Sequence, residues 1–374
     1  MADRSEVLVP EVATPAPLGS SQHHLSHAAG GRLIFSWVEE AGKLRRLRFA
    51  VREEDGWSTP RTVVTSHDNL AGAPVVLGMS DGTLAAAWIE QAELYVSRSA
   101  DGGKTWSEPA QPYSDVAKAY EGQLSVAPLP GGRLALVWKD QRDKGSMQLR
   151  AVVVDAKRKS GSEIVLDQHI CACCAADTVA QGNTLWTAYR DLLEGNVRDT
   201  ALVRWSPAGP SRSGIVHGDH WVLDGCPVNG PATDSRAGWL IVSWFTAADG
   251  VGRVLTAFSP ARERDFGKPI EVDGDANGYV EALLLEDGSA LVAWIGRAGP
   301  VAELLVAQVR EDGTVHGRTT VYRGAFSPWP TLGLAAVGDS VYVAWTDPAP
   351  KRVRLAKVPL ASITAGPGAP AEAE

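Results

Sequence analysis

The sequence lacks a long apolar run, a cluster of basic residues and the features of a secretory signal. No apolar run approaches the roughly 18 residues that a membrane-spanning helix needs. The 36 Lys and Arg residues are outnumbered by 44 Asp and Glu residues, so the net charge of -8 offers no basic surface for nucleic acid or anionic lipid. The N-terminus has neither a basic nor an apolar segment. We therefore expect a cytoplasmic protein that binds neither nucleic acid nor membranes.

Cysteine is also scarce, with four residues in the whole chain. Cys171, Cys173 and Cys174 form a C-A-C-C motif, and Cys226 lies in a G-C-P-V-N-G-P motif. Thiols stay reduced in the cytoplasm, so such a cluster indicates metal binding or redox chemistry more than a structural disulfide.

A repeated unit accounts for most of the chain. Seven apolar segments each end in an aromatic residue, and these closing aromatics lie 50 to 55 residues apart. The period and the short β-rich segments predict an all-β protein, a β-propeller of four-stranded blades, with seven blades by repeat count and six as the alternative. The closing aromatics are Trp37, Trp88, Trp138, Tyr189, Trp244, Trp294 and Trp345.

The repeat predicts one propeller domain over residues 1–361 and a disordered C-terminal tail over residues 362–374. The last unit ends soon after its third strand. The segment from Glu6 to Val9 is therefore expected to pair there and close the ring, which removes an exposed sheet edge.

The positions of the cysteines within the repeat place them on one face. Strands alternate in direction within a blade, so the loop entering strand one and the loop joining strands two and three share a face, which we name the upper face. Cys171 lies 18 residues before Tyr189, and Cys226 lies 18 residues before Trp244. Both should therefore lie near the axis on the upper face of neighbouring blades.

Three or four thiolates with an imidazole suit copper(I), zinc or iron, and we favour copper. In an extended strand Cys171 and Cys173 share a face and could converge with Cys226, so these three are the preferred ligands, and Cys174 is a further, less favoured one. A histidine would complete the site, and the sequence leaves open His169, His220, His23 and His24. A reversible disulfide switch and simple burial of the cysteines are the alternatives.

Two arginines are expected on the same face, in the loop that follows Tyr189. Arg190 and Arg198 could hold a substrate carboxylate, because guanidinium forms bidentate pairs with carboxylates. The alternative is that they form salt bridges with Asp191 and Asp199.

Several motifs resemble those of a known family. Residues 99–106, S-A-D-G-G-K-T-W, match the Asp-box of sialidases and related propellers. The C-x-C-C, Y-R-D, R-D and C-P-V-N-G-P motifs, in this order, resemble those of bacterial sialidase-like BNR-repeat proteins over roughly residues 20–350. These proteins are usually labelled exo-sialidases, so the resemblance implies glycoside hydrolysis.

Sialidases resemble one another in an arginine triad and a Tyr/Glu nucleophilic pair. For this chain the resemblance implies Tyr322 with Glu281 as the pair and Arg190 with Arg198 as two of the arginines. The start of the first blade, residues 20–24, contains no arginine.

These observations lead to three hypotheses. In the first, a Cys/His copper centre at the axial mouth acts as an oxidoreductase on a small molecule, for which a carboxylate-bearing substrate would suit the arginines. The second is an exo-sialidase-type glycoside hydrolase, and the third is a non-catalytic binding scaffold.

Overall fold

A computed structural model describes residues 5–364 apart from 114–118, 144, 158, 261–264, 300 and 327–331. Seven small antiparallel sheets surround one axis, which confirms the predicted β-propeller and its count of seven blades. The described residues contain no helix long and apolar enough to cross a membrane.

The strands of the first three blades follow in chain order. A short strand β1 (Glu6–Val7) precedes blade one, which contains β2 (Ser20–His27), β3 (Leu33–Ala41), β4 (Leu44–Glu53), β5 (Gly56–Trp57) and β6 (Arg61–Ser66). Blade two contains β7 (Leu70–Gly78), β8 (Leu84–Glu90) and β9 (Glu93–Ser99). Blade three contains β10 (Ala119–Leu129), β11 (Arg133–Asp140), β12 (Gln148–Val154) and β13 (Ile164–Asp167), with a 3-10 turn at Pro130–Gly132.

The other four blades repeat this order. Blade four contains β14 (Asp177–Gln181), β15 (Thr184–Arg190), β16 (Thr200–Ser206) and β17 (Gly209–His217), with a 3-10 turn at Glu194–Asn196. Blade five contains β18 (Ala232–Arg236), β19 (Trp239–Thr246), β20 (Arg253–Pro260) and β21 (Ile270–Asp273). Blade six contains β22 (Ala276–Leu284), β23 (Ala290–Ala298), β24 (Val301–Val309) and β25 (Val315–Gly324). Blade seven contains β26 (Gly333–Val337), β27 (Ser340–Pro348) and β28 (Lys351–Pro359).

The first strand of each blade is innermost, and neighbouring innermost strands contact one another around the whole axis. The second strands carry the closing aromatics, all fully buried between sheets. Most of them also donate to an acidic side chain: the indole of Trp138 to Asp140 at 2.8 Å and the hydroxyl of Tyr189 to Asp167 at 2.6 Å. Burial of the ring with its polar atom satisfied explains why an aromatic recurs here.

The N-terminal segment closes the ring differently from the expectation. Strand β1 pairs with β25 in blade six, not with the last blade. The residues that follow β1 reach blade seven, where Glu11 bridges Ala356 and the Val12 amide donates to the Leu355 carbonyl at 2.8 Å. The N-terminal segment therefore starts at the outer edge of blade six and passes to blade seven. There it supplies the backbone pairing on the outer side of β28.

The Asp-box forms a tight turn after β9, on the face opposite the upper face. Asp101 accepts the Lys104 and Thr105 amides at 3.0 Å each. Gly103 has φ +85°, and a Cβ there would lie 2.3 Å from the Phe49 ring, so this glycine is required. Trp106 packs edge-on against Phe49 of blade one, which ties two blades together.

The chain continues past blade seven into a single helical turn, α1 (Leu360–Thr364). Ile363 in this turn is fully buried against blades six and seven. Residues 362–364 of the predicted tail therefore belong to the folded body, and residues 365–374 lie outside the described residues.

Candidate metal centre

The three clustered cysteines converge. Cys171, Cys173 and Cys174 lie in the loop between β13 and β14, with relative exposures of 1%, 4% and 1%. The sulfur of Cys171 is 3.7 Å from each of the other two sulfurs, and all three lie within 4.8 Å of one another. No disulfide joins them. We name these residues the three-thiol group.

Cys174 joins Cys171 and Cys173 because residues 172–174 form a turn and a bend, not the extended strand that made it the less favoured ligand. Alternation of side chains holds only in a strand, so consecutive thiols can face one centre here. The fourth cysteine, Cys226, lies on the neighbouring loop between β17 and β18, as its repeat position predicted. Its thiol is exposed and hydrogen-bonds that of Cys173, but it lies outside the three-thiol group.

Backbone contacts fix the two cysteine loops against each other. The Cys171 amide donates to the Arg190 carbonyl at 3.1 Å, which anchors the first loop at the end of β15. A Cβ on Gly230 would lie 2.3 Å from the Ala175 carbonyl oxygen, so the glycine of the C-P-V-N-G-P motif permits the close approach of the second loop. Val228 packs on the three-thiol group with φ +54°, a strained conformation for a β-branched residue.

A buried lysine from blade three completes the surroundings of the thiols. Lys139, 1% exposed at the end of β11, donates from Nζ to the Ala172 carbonyl at 3.3 Å. Burial lowers the pKa of Lys139 to about 8, and the charges of all four cysteines act in the opposite direction. Sequence reasoning missed this residue.

Arg190 does not face a substrate. Its guanidinium donates to three backbone carbonyls, those of Asn229 at 2.9 Å, Arg198 at 2.5 Å and Phe245 at 2.8 Å, and it stacks on Trp221. Only 1% of it is exposed, so the predicted role in binding a carboxylate is wrong. Its fixed charge instead lies close enough to Cys174 to favour the thiolate there.

The thiols interact strongly with one another. Hydrogen bonds with Cys173 and Cys174, and then the charge of Lys139, hold the pKa of the Cys171 thiol far below its usual range. The hydrogen bond to Cys171 raises the pKa of Cys173, and burial raises the pKa of Cys174. The hydrogen bonds and the nearby cation therefore favour a thiolate at Cys171.

The structure brings no histidine of the described residues into the three-thiol group. His169 is exposed beside Asp167, to which its amide donates at 3.0 Å. His24 lies on β2, in blade one, three blades away from blade four. The predicted mixed Cys/His ligand set is therefore replaced by an all-sulfur set.

Arg198 remains a candidate for binding an anion. It lies on the upper face, in the loop between β15 and β16, and none of the described residues forms an ion pair with it. Its Nε is buried without a hydrogen-bond partner. The alternative of salt bridges is wrong, since the Asp199 carboxylate accepts the His220 and Trp221 amides at 3.1 Å.

Tyr322 and Glu281 do not form the pair that sialidase chemistry needs. Tyr322 lies on the outer strand β25 and Glu281 on the innermost strand β22, with two strands between them. That separation is roughly 14 Å across the sheet. Tyr322 is packed on Trp345 and Phe326, far from the axis.

Glu281 has a different environment, on one of the innermost strands that surround the axis. Glu281, Asp177 and His24 lie on three different innermost strands. Each pairs with the residue that precedes the closing aromatic of its own blade, so the three residues occupy equivalent positions in the repeat. Burial raises the pKa of Asp177 to about 6 and lowers that of His24 to about 4. Burial, and then the charge of Asp177, raises the pKa of Glu281 well above its usual value.

No family model and no curated protein matches the chain, whereas solved structures do. An ulvan lyase of polysaccharide lyase family 25 matches with TM-score 0.64 and 12% identity, over 94% of this chain and 96% of that one. The α-L-arabinanase of Penicillium chrysogenum matches with TM-score 0.52 and 12% identity, over 97% and 100%. The chain shares their propeller fold. A leech intramolecular trans-sialidase matches with TM-score 0.48 and 10% identity, over 89% and 84%.

Proposed function

We propose that the chain binds one copper(I) ion through Cys171, Cys173 and Cys174 at the axial mouth of the upper face. The observation that carries this is the convergence of three buried, unbridged sulfurs within 4.8 Å. Thiolates are the ligands that copper(I) prefers, and three of them suffice for it, whereas structural zinc sites take four ligands.

The charges around the group favour a monovalent ion. Three thiolates carry three negative charges, and the two buried cations Lys139 and Arg190 compensate two of them. A monovalent ion neutralises the remainder, whereas a divalent ion leaves an uncompensated positive charge in a buried site, which is costly.

We propose further that the bound copper ion takes part in an oxidoreductase reaction. Arg198 on the same face supports it, since its partly buried Nε has no hydrogen-bond partner among the described residues and a guanidinium suits the carboxylate of a small substrate. For this reaction the chain supplies the buried thiolates, the two cations that compensate their charge, and Arg198 as the group that binds the substrate.

Metal analysis of anaerobically purified protein tests the copper site. We expect about one equivalent of copper(I) in the parent chain, and its loss in Cys171→Ser or Cys173→Ser. Ser213→Ala, on the outer strand β17, serves as a control that keeps the metal. Less than about a tenth of an equivalent of any transition metal after copper(I) loading would contradict the proposal.

A second candidate function, cleavage of a glycosidic bond, is favoured by Asp177 and Glu281. Burial raises the pKa of Asp177 to about 6 and that of Glu281 well above its usual value, and acid and base catalysis on sugars requires such a pair of carboxyl groups with different pKa values. Glu281 would protonate the leaving oxygen while Asp177 takes a proton from the attacking water. The shared fold of the ulvan lyase and the arabinanase agrees with this candidate but does not carry it.

Fluorogenic sialosides and arabinosides, together with ulvan, test the second candidate. Turnover should fall by about a hundredfold or more in Glu281→Gln. It should be unchanged in Cys226→Ser, which leaves both carboxyl groups intact. Failure of the parent chain to cleave any of these substrates argues against it.

A further inference from the structure

The four thiols differ in their access to solvent. The three sulfurs of the three-thiol group are buried, so an ion held there would be separated from a carrier bound at the surface. Cys226 is exposed and is still in hydrogen-bond contact with Cys173. It therefore links the surface to the buried group.

We propose that Cys226 is the exchange ligand through which copper(I) enters and leaves the three-thiol group, and that the chain exchanges copper(I) with a thiol-bearing carrier. This inference rests on the proposed copper site. It adds a transfer function, for which an exposed cysteine beside three buried thiol ligands is suited.

The surroundings of Cys226 suit contact with another molecule. Asp224 and Gly225 before it are exposed, and the exposed fraction of Val222 in the same loop is 63%. The base of the loop is held, because the Leu223 amide donates to the Asn196 carbonyl at 3.1 Å and the Val197 backbone bridges Val222. The thiol is thus presented on a fixed loop rather than on a free end.

Transfer needs only ligand exchange and no change of oxidation state. The Cys226 sulfur forms a bond to copper as the bond to the carrier sulfur breaks, and the proton released by Cys226 passes to the departing carrier thiolate. Cys173 then takes the ion as its own proton moves to Cys226, and any other thiol that loses a proton on binding the ion passes it to the second departing thiolate of the carrier. Each step exchanges one thiolate for another on a monovalent ion, as soft-ligand chemistry allows.

Stopped-flow kinetics on the full chain test the proposal, with copper(I)–glutathione and a copper(I)-loaded two-cysteine peptide as separate carrier arms. Release is followed with a chromophoric copper(I) chelator. We expect Cys226→Ser to bind one equivalent as the parent chain does, with loading and release slowed by about tenfold or more in at least one arm. The faster arm with the parent chain identifies a small thiol or a protein as the carrier.

Ser213→Ala, on the outer strand β17 and outside this loop, is the control and should exchange at the parent rate. Near-ultraviolet circular dichroism, and Cys226→Ala as a second variant, establish that the fold is kept. Equal exchange rates in Cys226→Ser and the parent chain overturn the inference. So does loss of copper binding in a folded Cys226→Ser, which would make Cys226 a resident ligand. A parent chain that binds no copper(I) instead refutes the proposed copper site itself.

Discussion

At the scale of single residues, the candidate centre is distinguished by two buried cations at equivalent repeat positions. Lys139 and Arg190 each follow the closing aromatic of their blade, and both are 1% exposed. A buried ammonium is costly unless an opposite charge compensates it, so Lys139 and the thiolates depend on each other. The other blades have uncharged side chains at this position: Val38, Ile89, Phe245, Ile295 and Thr346.

Lys139→Met should separate metal binding from stability. Loss of the buried charge leaves the thiolates less compensated, so we expect copper(I) affinity to fall by about 10- to 100-fold in a competition titration with a chelator. The metal-free protein should be at least as stable to denaturant, because burying the ammonium is itself unfavourable. Lys104→Met, at an exposed lysine of the Asp-box, is the control. Unchanged affinity in Lys139→Met would show that its charge does not support the site.

The sequence indicated which residue types form the site, but it did not show where their side chains point. The shared offset of Cys171 and Cys226 correctly placed both on neighbouring loops of the upper face. The orientation of Cys174 depends on the turn at residues 172–174, which no periodicity reveals. A comparison of the residues after the closing aromatics would have found Lys139, since a lysine there departs from the apolar pattern of the repeat.

At the scale of elements, the seam between the first and last blades holds a second unusual group. His23 on β2 is 2% exposed, and its Nδ1 lies 3.1 Å from the Thr346 hydroxyl on β27. Burial lowers its pKa from 6.5 to about 4, and the neighbouring His24 acts in the same direction. The seam therefore packs a neutral imidazole whose Nε2 has no partner among the described residues.

Acid should weaken this seam through His23. The unfolded chain takes up the proton near pH 6.5 and the folded chain only near pH 4, so the contribution to stability is complete above pH 6.5 and is lost as the pH falls towards 4. Between pH 7 and pH 5 the loss is about 2 kcal/mol. We expect His23→Gln to lose less free energy of unfolding than the parent chain over this interval, as measured by reversible denaturant titration. Equal losses would mean that the pKa of His23 is not lowered in the folded state.

At the scale of the whole molecule, the repeat period of the sequence was enough to predict the fold. It did not predict which residues meet at the candidate metal centre. A spacing of about fifty residues with a buried aromatic sufficed for seven blades, since each unit must cover the apolar faces of its neighbours. The centre draws Lys139 from blade three, the three-thiol group from blade four and Cys226 from blade five. Tyr279 of blade six is near enough to Cys174 that the thiolate adds to burial in raising the pKa of the phenol. These contacts join four blades, and they depend on loop conformations that the repeat pattern does not determine.

Copper(I) should therefore stabilise one side of the ring. A ligand present at a hundred times its dissociation constant adds about 2.7 kcal/mol to the folded state. Because the site joins the upper loops of blades three to six, we expect slower hydrogen exchange at residues 169–176 and 222–230 on loading. Blades one and two, and the Asp-box turn on the opposite face, should exchange as before. Cys171→Ser should show no protection. Protection spread evenly over all seven blades, or none in the parent chain at full loading, would contradict a centre assembled between these loops.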